Sequence, residues 1–270
     1  MSGWRLTLRQ QPALRVDLRG VTPVALAALS EAEVARLTAL HGNDRVPLGE
    51  LFRVAPLAGD AASLEIDGDL ARFDAVGAQM DGGTFTVRGS VGRLAGLLMT
   101  GGCLRIEGRA GDEAGREMAG GELRIDGDAG DFIAGARPGS MEGMRGGLLV
   151  VGGSVGERAG DRMRRGLLLV RGAAGPMLGS RMVAGTIAVA GEVGPHPGAL
   201  MRRGSLVLLS AQPVPGPGFV ETRYDIAVYA ALLARSLAAH GGAFAEIAGR
   251  PLRRFAGDIA VDGRGELLTR

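Results

Sequence analysis

The sequence contains no lysine: all 31 basic residues are arginine. That bias reads as the composition of a GC-rich, bacterial genome and not as a demand for guanidinium chemistry. Cysteine is nearly absent too. Cys103 alone cannot build an internal disulfide framework, which suits a reducing compartment. Aromatics are 4% of the chain, the formal net charge is only +2, and no basic run is interleaved with aromatics, so nucleic acid is not an expected partner. No apolar run approaches the ~18 residues of a membrane-spanning helix. The first residues, Met1 to Arg9, lack the apolar core of a signal peptide, and a cytoplasmic location with no membrane contact is expected. Histidine is scarce as well. His41, His196 and His240 lie in three different regions without ligand spacing, so no metal site is expected.

What is abundant is glycine, 47 residues of it, and it recurs with a beat. The stretch Gly77-Ala-Gln-Met80-Asp-Gly-Gly83-Thr-Phe85-Thr-Val87-Arg-Gly89 returns at Met99, Met118, Met144, Met163, Met182 and Met201. The step is 19 residues, except for 26 between Met118 and Met144, an insertion of 7 around Ala136 to Gly143. Within each copy two apolar residues alternate, as in Leu104 and Ile106 or Leu168 and Val170, which is strand periodicity. A further apolar position follows at Val91, Ala110, Ala129, Val155, Ala174 and Val193, between glycines, and suggests a second short strand. A fixed period of this size marks repeat architecture. The expected fold is an all-β solenoid, a parallel β-helix of about seven 19-residue coils, with glycines at the corners because a Cβ resists positive φ. At strand spacing such a stack is roughly 30–35 Å long.

The ends are not periodic. Residues 1–63 are expected to form a small α+β cap over the open end of the stack. Leu6 and Leu8, then Val16 and Leu18, alternate with polar neighbours as two short strands, and Ser30 with Glu33 forms a capping box opening a helix toward Gly42. Residues 64–210 carry the repeats. Residues 211–270 begin with a linker, Gln212-Pro-Val-Pro-Gly-Pro-Gly218, whose prolines stop further ladder bonding. A helix from Tyr224 to His240 follows, with Ile226, Val228, Tyr229, Leu232, Leu233 and Leu237 at helical spacing. One apolar helix face needs a partner, and the flank of the stack is the expected one, with the tail from Phe255 to Leu268 running alongside.

Chemistry is hard to find. Most carboxylates, such as Glu107 and Asp126, occupy outward strand positions, and the methionine column reads as core. Fragments such as Gly127-Asp-Ala-Gly130 do not open a helix, as a phosphate-binding loop must. No catalytic residue is expected. One surface feature stands out: Arg145, Arg164 and Arg202 directly follow the methionine in their copies, and Arg165 and Arg203 come next. Stacked, these five form a positive corner, broken at Val183-Ala184, suited to an anionic tail or a partner's carboxylates.

The repeated core Gly-x-x-Met-x-x-Gly-x-Leu/Ile-x-Ile/Val-x-Gly resembles the C subunit of formylmethanofuran dehydrogenase. So do Leu48-Gly-Glu-Leu-Phe52, Arg254-Phe-Ala-Gly-Asp258 and Gly263-Arg-Gly-Glu266 outside it. With a bacterial composition, the likeness is to the family's branch in the formyltransferase/hydrolase complex of methylotrophs. The resemblance implies right-handed winding and a non-catalytic scaffold role. It also implies a complex of one-carbon metabolism and formaldehyde oxidation that transfers formyl between tetrahydromethanopterin and methanofuran and releases formate. In that family the hydrolase and formyltransferase subunits hold the chemistry and are the implied partners; methanofuran and tetrahydromethanopterin are the carriers. Archaeal relatives serve pterin and iron–sulfur enzymes, but Cys103 alone offers no cluster ligands, and no cofactor is expected on this chain. A more distant likeness, to the glycine-rich β-helix domain of the glutamate synthase large subunit, implies the alternative of a spacer module in an amidotransferase.

Overall fold

The computed structural model of the chain describes residues 3–58, 62–210, 215–223, 226–247 and 252–269. Alternating apolar residues form strands, as their period requires. In chain order these are β1 (Gly3–Leu8), β2 (Val16–Asp17), β3 (Thr38–His41), β4 (Asp44–Pro47), β5 (Phe52–Leu57), β6 (Ser63–Asp67), β7 (Phe73–Asp74), β8 (Asp81–Arg88) and β9 (Gly101–Ile106). They continue as β10 (Glu122–Ile125), β11 (Arg145–Val151), β12 (Arg165–Val170), β13 (Thr186–Val189), β14 (Ser205–Leu208), β15 (Val220–Thr222), β16 (Arg253–Gly257) and β17 (Gly265–Thr269).

The expectation of an all-β parallel solenoid requires correction. The body is a 13-stranded mixed sheet, ordered β15-β16-β17-β14-β13-β12-β11-β10-β9-β8-β6-β1-β5, beside a four-stranded sheet β4-β3-β2-β7. The ends are responsible. At one end β5 turns back antiparallel on β1, and at the other β15, β16 and β17 pair antiparallel with one another. The second apolar position does not make strands; it makes single-residue bridges such as Val91↔Ala110 and Ala110↔Ala129. The prolines after Leu209 do not end the sheet either, since β17 pairs in parallel with β14, Leu206 opposite Leu267. Within the linker, residues 211–214 lie outside the described residues, as do Tyr224 and Asp225 at the expected helix start.

Between those ends the periodic residues do set the pairing. Phe85, Leu104, Leu123, Leu149, Leu168, Ile187 and Leu206 stand in one row of Cα partners across seven parallel strands. All of them are fully buried, as are the seven methionines of the beat, Met80, Met99, Met118, Met144, Met163, Met182 and Met201. Burying one such side chain contributes about 1.5–3 kcal/mol, so a row fixes register cooperatively: a one-residue slip would expose every member.

Glycine is not the general answer to tight turns here. Fourteen non-glycine residues between Ala75 and Leu200 have positive φ, among them Ala75, Leu94, Glu113, Arg158 and Met177. Their conformation is compensated by long-range bonds: Ala75 N–H donates to Arg93 O at 2.8 Å, Leu94 N–H to Asp112 O at 2.9 Å and Glu113 N–H to Asp131 O at 2.7 Å. Each satisfied N–H offsets roughly 1 kcal/mol of left-handed strain. Glycine is required at positions such as Gly77 (φ 66°), where a Cβ would sit 2.6 Å from Leu104 Cδ2.

Among the described residues the α-helices are α1 (Pro23–Leu26), α2 (Glu31–Arg36), α3 (Leu48–Leu51) and α4 (Ala227–Ala238). The Ser30–Glu33 capping box is present on α2, with Ser30 N–H donating to Glu33 Oε2 at 2.7 Å. Trp4 Nε1–H donates to Leu26 O at 3.0 Å and ties α1 to β1. Helix α4 covers one half of the sheet's outward face. Leu233, Ala234, Leu237, Phe244 and Ile247 bury together with Val150, Leu169, Ala188, Val207 and Leu268. Among the described residues no helix is long and apolar enough to cross a membrane.

Candidate functional site: an arginine edge

The five arginines that follow the methionine beat lie at or just before the beginnings of β11, β12 and β14, and all are exposed. Each backbone hangs on the preceding methionine row: Arg145 N–H donates to Met118 O at 2.7 Å, Arg164 to Met144 O at 2.8 Å and Arg202 to Met182 O at 2.7 Å. A glycine-rich irregularity shifts the register at the start of β11, so Arg145 faces Arg165 and not Arg164. A sixth member escapes sequence reasoning. Arg264 N–H donates to Arg202 O at 2.7 Å, and because Ser205 pairs with Glu266, Arg264 falls in line with Arg203. The Gly-Arg-Gly-Glu element at 263–266 is a visible signal, but nothing in the 19-residue period connects it to Met201.

Many guanidinium groups elsewhere sit on carboxylates, as Arg5 on Glu65 and Arg105 on Asp126, each at 2.8 Å, and Arg137 on Glu117 at 2.9 Å, while others, such as Arg72 and Arg171, donate to backbone carbonyls. On the edge, Arg164 pairs with Glu142. Arg145, Arg165, Arg202, Arg203 and Arg264 have no carboxylate partner among the described residues. Exposed arginine forks with free donors are suited to bidentate capture of carboxylates or phosphates.

Beside the edge stands the inserted segment. It is pinned by charged groups that no motif or spacing singles out. Arg116 Nε–H donates to Ala136 O at 2.8 Å, Arg137 N–H to Glu117 Oε1 at 3.0 Å, and Arg162 donates to Ser140 O. Arg116 and Glu117 are both buried. Burial pushes the Glu117 carboxyl up, but the hydrogen bonds and charge of Arg137 outweigh it and hold the group below the ordinary carboxylate range. The result is a fixed loop that holds Met141 in solvent, 72% exposed. A cleft of about 620 Å³ lies between this loop and Leu94, Leu97 and Leu98.

Among the described residues the histidines and the cysteine lie apart from this edge. The histidines sit on separate elements, with His41 accepting from Leu14 N–H at 3.1 Å and His240 tied through its carbonyl to Arg171 at 2.9 Å. Cys103 is half-buried, and burial raises its thiol pKa, the opposite of what a nucleophile needs. Among the described residues no three His, Cys, Asp or Glu side chains converge as a metal cage would require.

Comparison with known proteins gives the geometry its context. No family model matches the chain. Over 88 residues it is 44% identical to the C subunit of the formyltransferase/hydrolase complex Fhc of Methylorubrum extorquens, covering 33% of this chain and 32% of that protein. Over 99 residues it is 34% identical to the C subunit of the tungsten-containing formylmethanofuran dehydrogenase 2 of Methanothermobacter wolfeii, 36% of this chain and 37% of the relative. The aligned stretches thus span about a third of those curated relatives. A far longer match comes from the X-ray crystal structure of the formyltransferase/hydrolase complex (FhcABCD) from Methylorubrum extorquens in complex with methylofuran. One of its chains is 42% identical, with 98% of each chain covered and a TM-score of 0.91.

Proposed function

Because the chain belongs to the C-subunit family of formyltransferase/hydrolase and formylmethanofuran dehydrogenase complexes, we propose that it is the scaffold of such a complex. The complex transfers formyl between tetrahydromethanopterin and a methanofuran-type carrier and releases formate, in the cytoplasm, with the reacting groups on the hydrolase and formyltransferase subunits. The observation that carries this reading is the 42% identity held over 98% of both chains, ends included. Similarity confined to the glycine-rich period would carry much less, because any stacked-strand protein needs glycine and alternation.

The chain's own part is structural. It offers a long, register-locked sheet with no cluster of acid, base and nucleophile among the described residues, and a rigid body is what holding two catalytic subunits at a fixed spacing requires. The arginine edge of Arg145, Arg164, Arg165, Arg202 and Arg203 supplies carboxylate-binding capacity, either for an anionic tail on the carrier or for an acidic surface of a neighbouring polypeptide.

Two experiments test these statements. Co-purification with the host's hydrolase and formyltransferase subunits, followed by assay of formylmethanofuran hydrolysis with and without this chain, should show loss of association and of activity when it is omitted. An isolated chain that catalysed the reaction unaided would overturn the scaffold reading. For the edge, glutamine at Arg164, Arg165, Arg202 and Arg203 separates the two occupants: a greater slowing of turnover for a carrier bearing a carboxylate tail than for a tailless one would assign the edge to the tail. Equal slowing accompanied by weaker assembly would assign the edge to a contact between subunits, and no change in either would remove its role.

A further inference from the structure

Exposed apolar side chains gather at the C-terminal end of the 13-stranded sheet. Ile259 is 61% exposed, Val220 56% and Leu200 44%. A cleft of about 550 Å³ is lined by Ile259 with His196, Pro197, Ala199 and Phe219, the last two being the chain neighbours of Leu200 and Val220. The outermost strand there, β15, ends the sheet order and carries no proline, and its one charge, Glu221, is matched by Arg253 at 2.8 Å. The opposite edge strand, β5, is blunted by Pro56 and the exposed Arg53.

The same end has an unbalanced charge. Arg202 follows Leu200 by two residues, and the cleft wall is bonded to the arginine segment through its backbone: Asp258 N–H to Met201 O at 3.2 Å, Gly263 N–H to Asp258 O at 2.8 Å. Of the nearby carboxylates, Asp258 is buried and spends its oxygens on Leu200 N–H at 2.9 Å and Ala260 N–H at 3.0 Å. Asp262 is exposed, which leaves Arg202, Arg203 and Arg264 in excess over it.

We propose that this end is a docking surface for a partner polypeptide that seats an apolar side chain in the cleft beside Ile259 and sets carboxylates on Arg202, Arg203 and Arg264. A small anion would satisfy the guanidinium groups and leave the apolar cluster wet, whereas an apolar centre with a charged rim is the anatomy of a protein interface. A second copy is the wrong occupant. A twofold contact through this patch would bring the arginine excess against itself, where like charges repel. The complementary partner is acidic.

The inference rests on the reading of the chain as an assembling subunit, and the test separates the two. The full chain is co-expressed with the host's hydrolase and formyltransferase subunits, and the complex is weighed by native mass spectrometry. Leu200→Asp with Ile259→Asp should reduce incorporation of at least one of those subunits about tenfold or more, as removal of a central anchor does. Arg202→Gln with Arg203→Gln and Arg264→Gln should assemble at low salt and dissociate at a lower salt concentration than the unmodified complex. If both variants assemble as the unmodified chain does, the docking surface is elsewhere; if the unmodified chain recruits no partner, the assembly reading itself fails. A second measurement needs no substitution. Amide exchange over Val220–Thr222 and Ile259–Val261 should be slower in the complex than in the isolated chain, and equal exchange would overturn the proposal. Protection that grows with the concentration of the isolated chain would assign the cleft to a second copy instead.

Discussion

One row of residues on the outward face of the large sheet divides the molecule into two. In register across the strands it reads Glu65, Thr86, Arg105, Arg124, and then Val150, Leu169, Ala188, Val207, Leu268. On the first half, outward side chains meet water and one another, as Arg88 does with Glu65 at 3.2 Å and Arg105 with Asp126 at 2.8 Å. On the second half Leu169, Ala188 and Val207 are fully buried under α4 and the turn Gly242–Ile247. The inward rows of both halves are the same kind of apolar ladder. The inward face therefore sets pairing, and the outward face is free to choose solvent or a helix. The choice changes between Arg124 and Val150, the one step at which the methionine beat lengthens from 19 to 26 residues.

Charge placed on the covered half tests that division most severely. Leu169→Asp would bury a carboxylate with no partner beneath α4, at a cost of about 4 kcal/mol or more. Chemical denaturation should show the loss, and amides of α4 should exchange rapidly as the helix lifts. A change below about 1 kcal/mol would mean the helix contributes little and the two halves are energetically alike.

At the boundary, Glu117→Gln removes the charge that holds Arg137 and should cost roughly 1–3 kcal/mol, concentrated in the inserted segment. The pH dependence has a definite sign. Because the folded pKa lies below its ordinary value of 4.5, the contribution is complete above that pH and is lost as pH falls through the lower folded value. Limited proteolysis near Met141 should accelerate in the native chain as pH falls below that ordinary carboxylate value. In the glutamine variant it should be fast and independent of pH; a rate independent of pH in the native chain would remove Glu117 from this role.

A smaller effect is expected where the covered half is bolted to its helix. The Tyr229 hydroxyl lies 2.7 Å from Ser205 Oγ, which donates to Glu266 at 2.7 Å, and Arg254 holds Glu266 at 2.8 Å. Tyr229→Phe should cost about 1 kcal/mol, since Ser205 keeps Glu266 as a partner. Ser205→Ala strands more of the network and should cost more; the reverse order would show that the tyrosine, not the serine, is the joint.

Much of this is legible in the amino-acid order, and the reason is periodicity. Leu104 opposite Leu123, Leu168 opposite Ile187 and the helix carrying Leu233 and Leu237 all follow from apolar spacing, because burial rewards one register only. The fold class does not follow, because it is decided at the aperiodic ends, where β5, β15 and β16 turn antiparallel. Local rules likewise put glycine at turns; they do not foresee Leu94 or Arg158 in left-handed conformation, since the compensating carbonyl belongs to a residue about 18 positions away. Five arginines of the edge emerge by counting from methionine. Arg264 does not, because the sheet reaches it by a step of 61 residues that no repeat announces.

The smallest effect is expected on the open half, and its smallness matters. Arg105 and Asp126 meet at 2.8 Å, but their side chains are 53% and 42% exposed, so water and salt screen the attraction. Such a pair contributes about 0.2–1 kcal/mol, and less in about 1 M salt. Arg105→Leu should therefore leave stability nearly unchanged, and the double-mutant cycle with Asp126→Asn should close with a coupling that vanishes in high salt. The comparison with Leu169→Asp is then decisive. Positions 105 and 169 lie on the same row, so a large asymmetry between the two substitutions isolates the cover provided by α4 as the cause. A coupling above about 2 kcal/mol at position 105 would mean that the open half is shielded in solution after all.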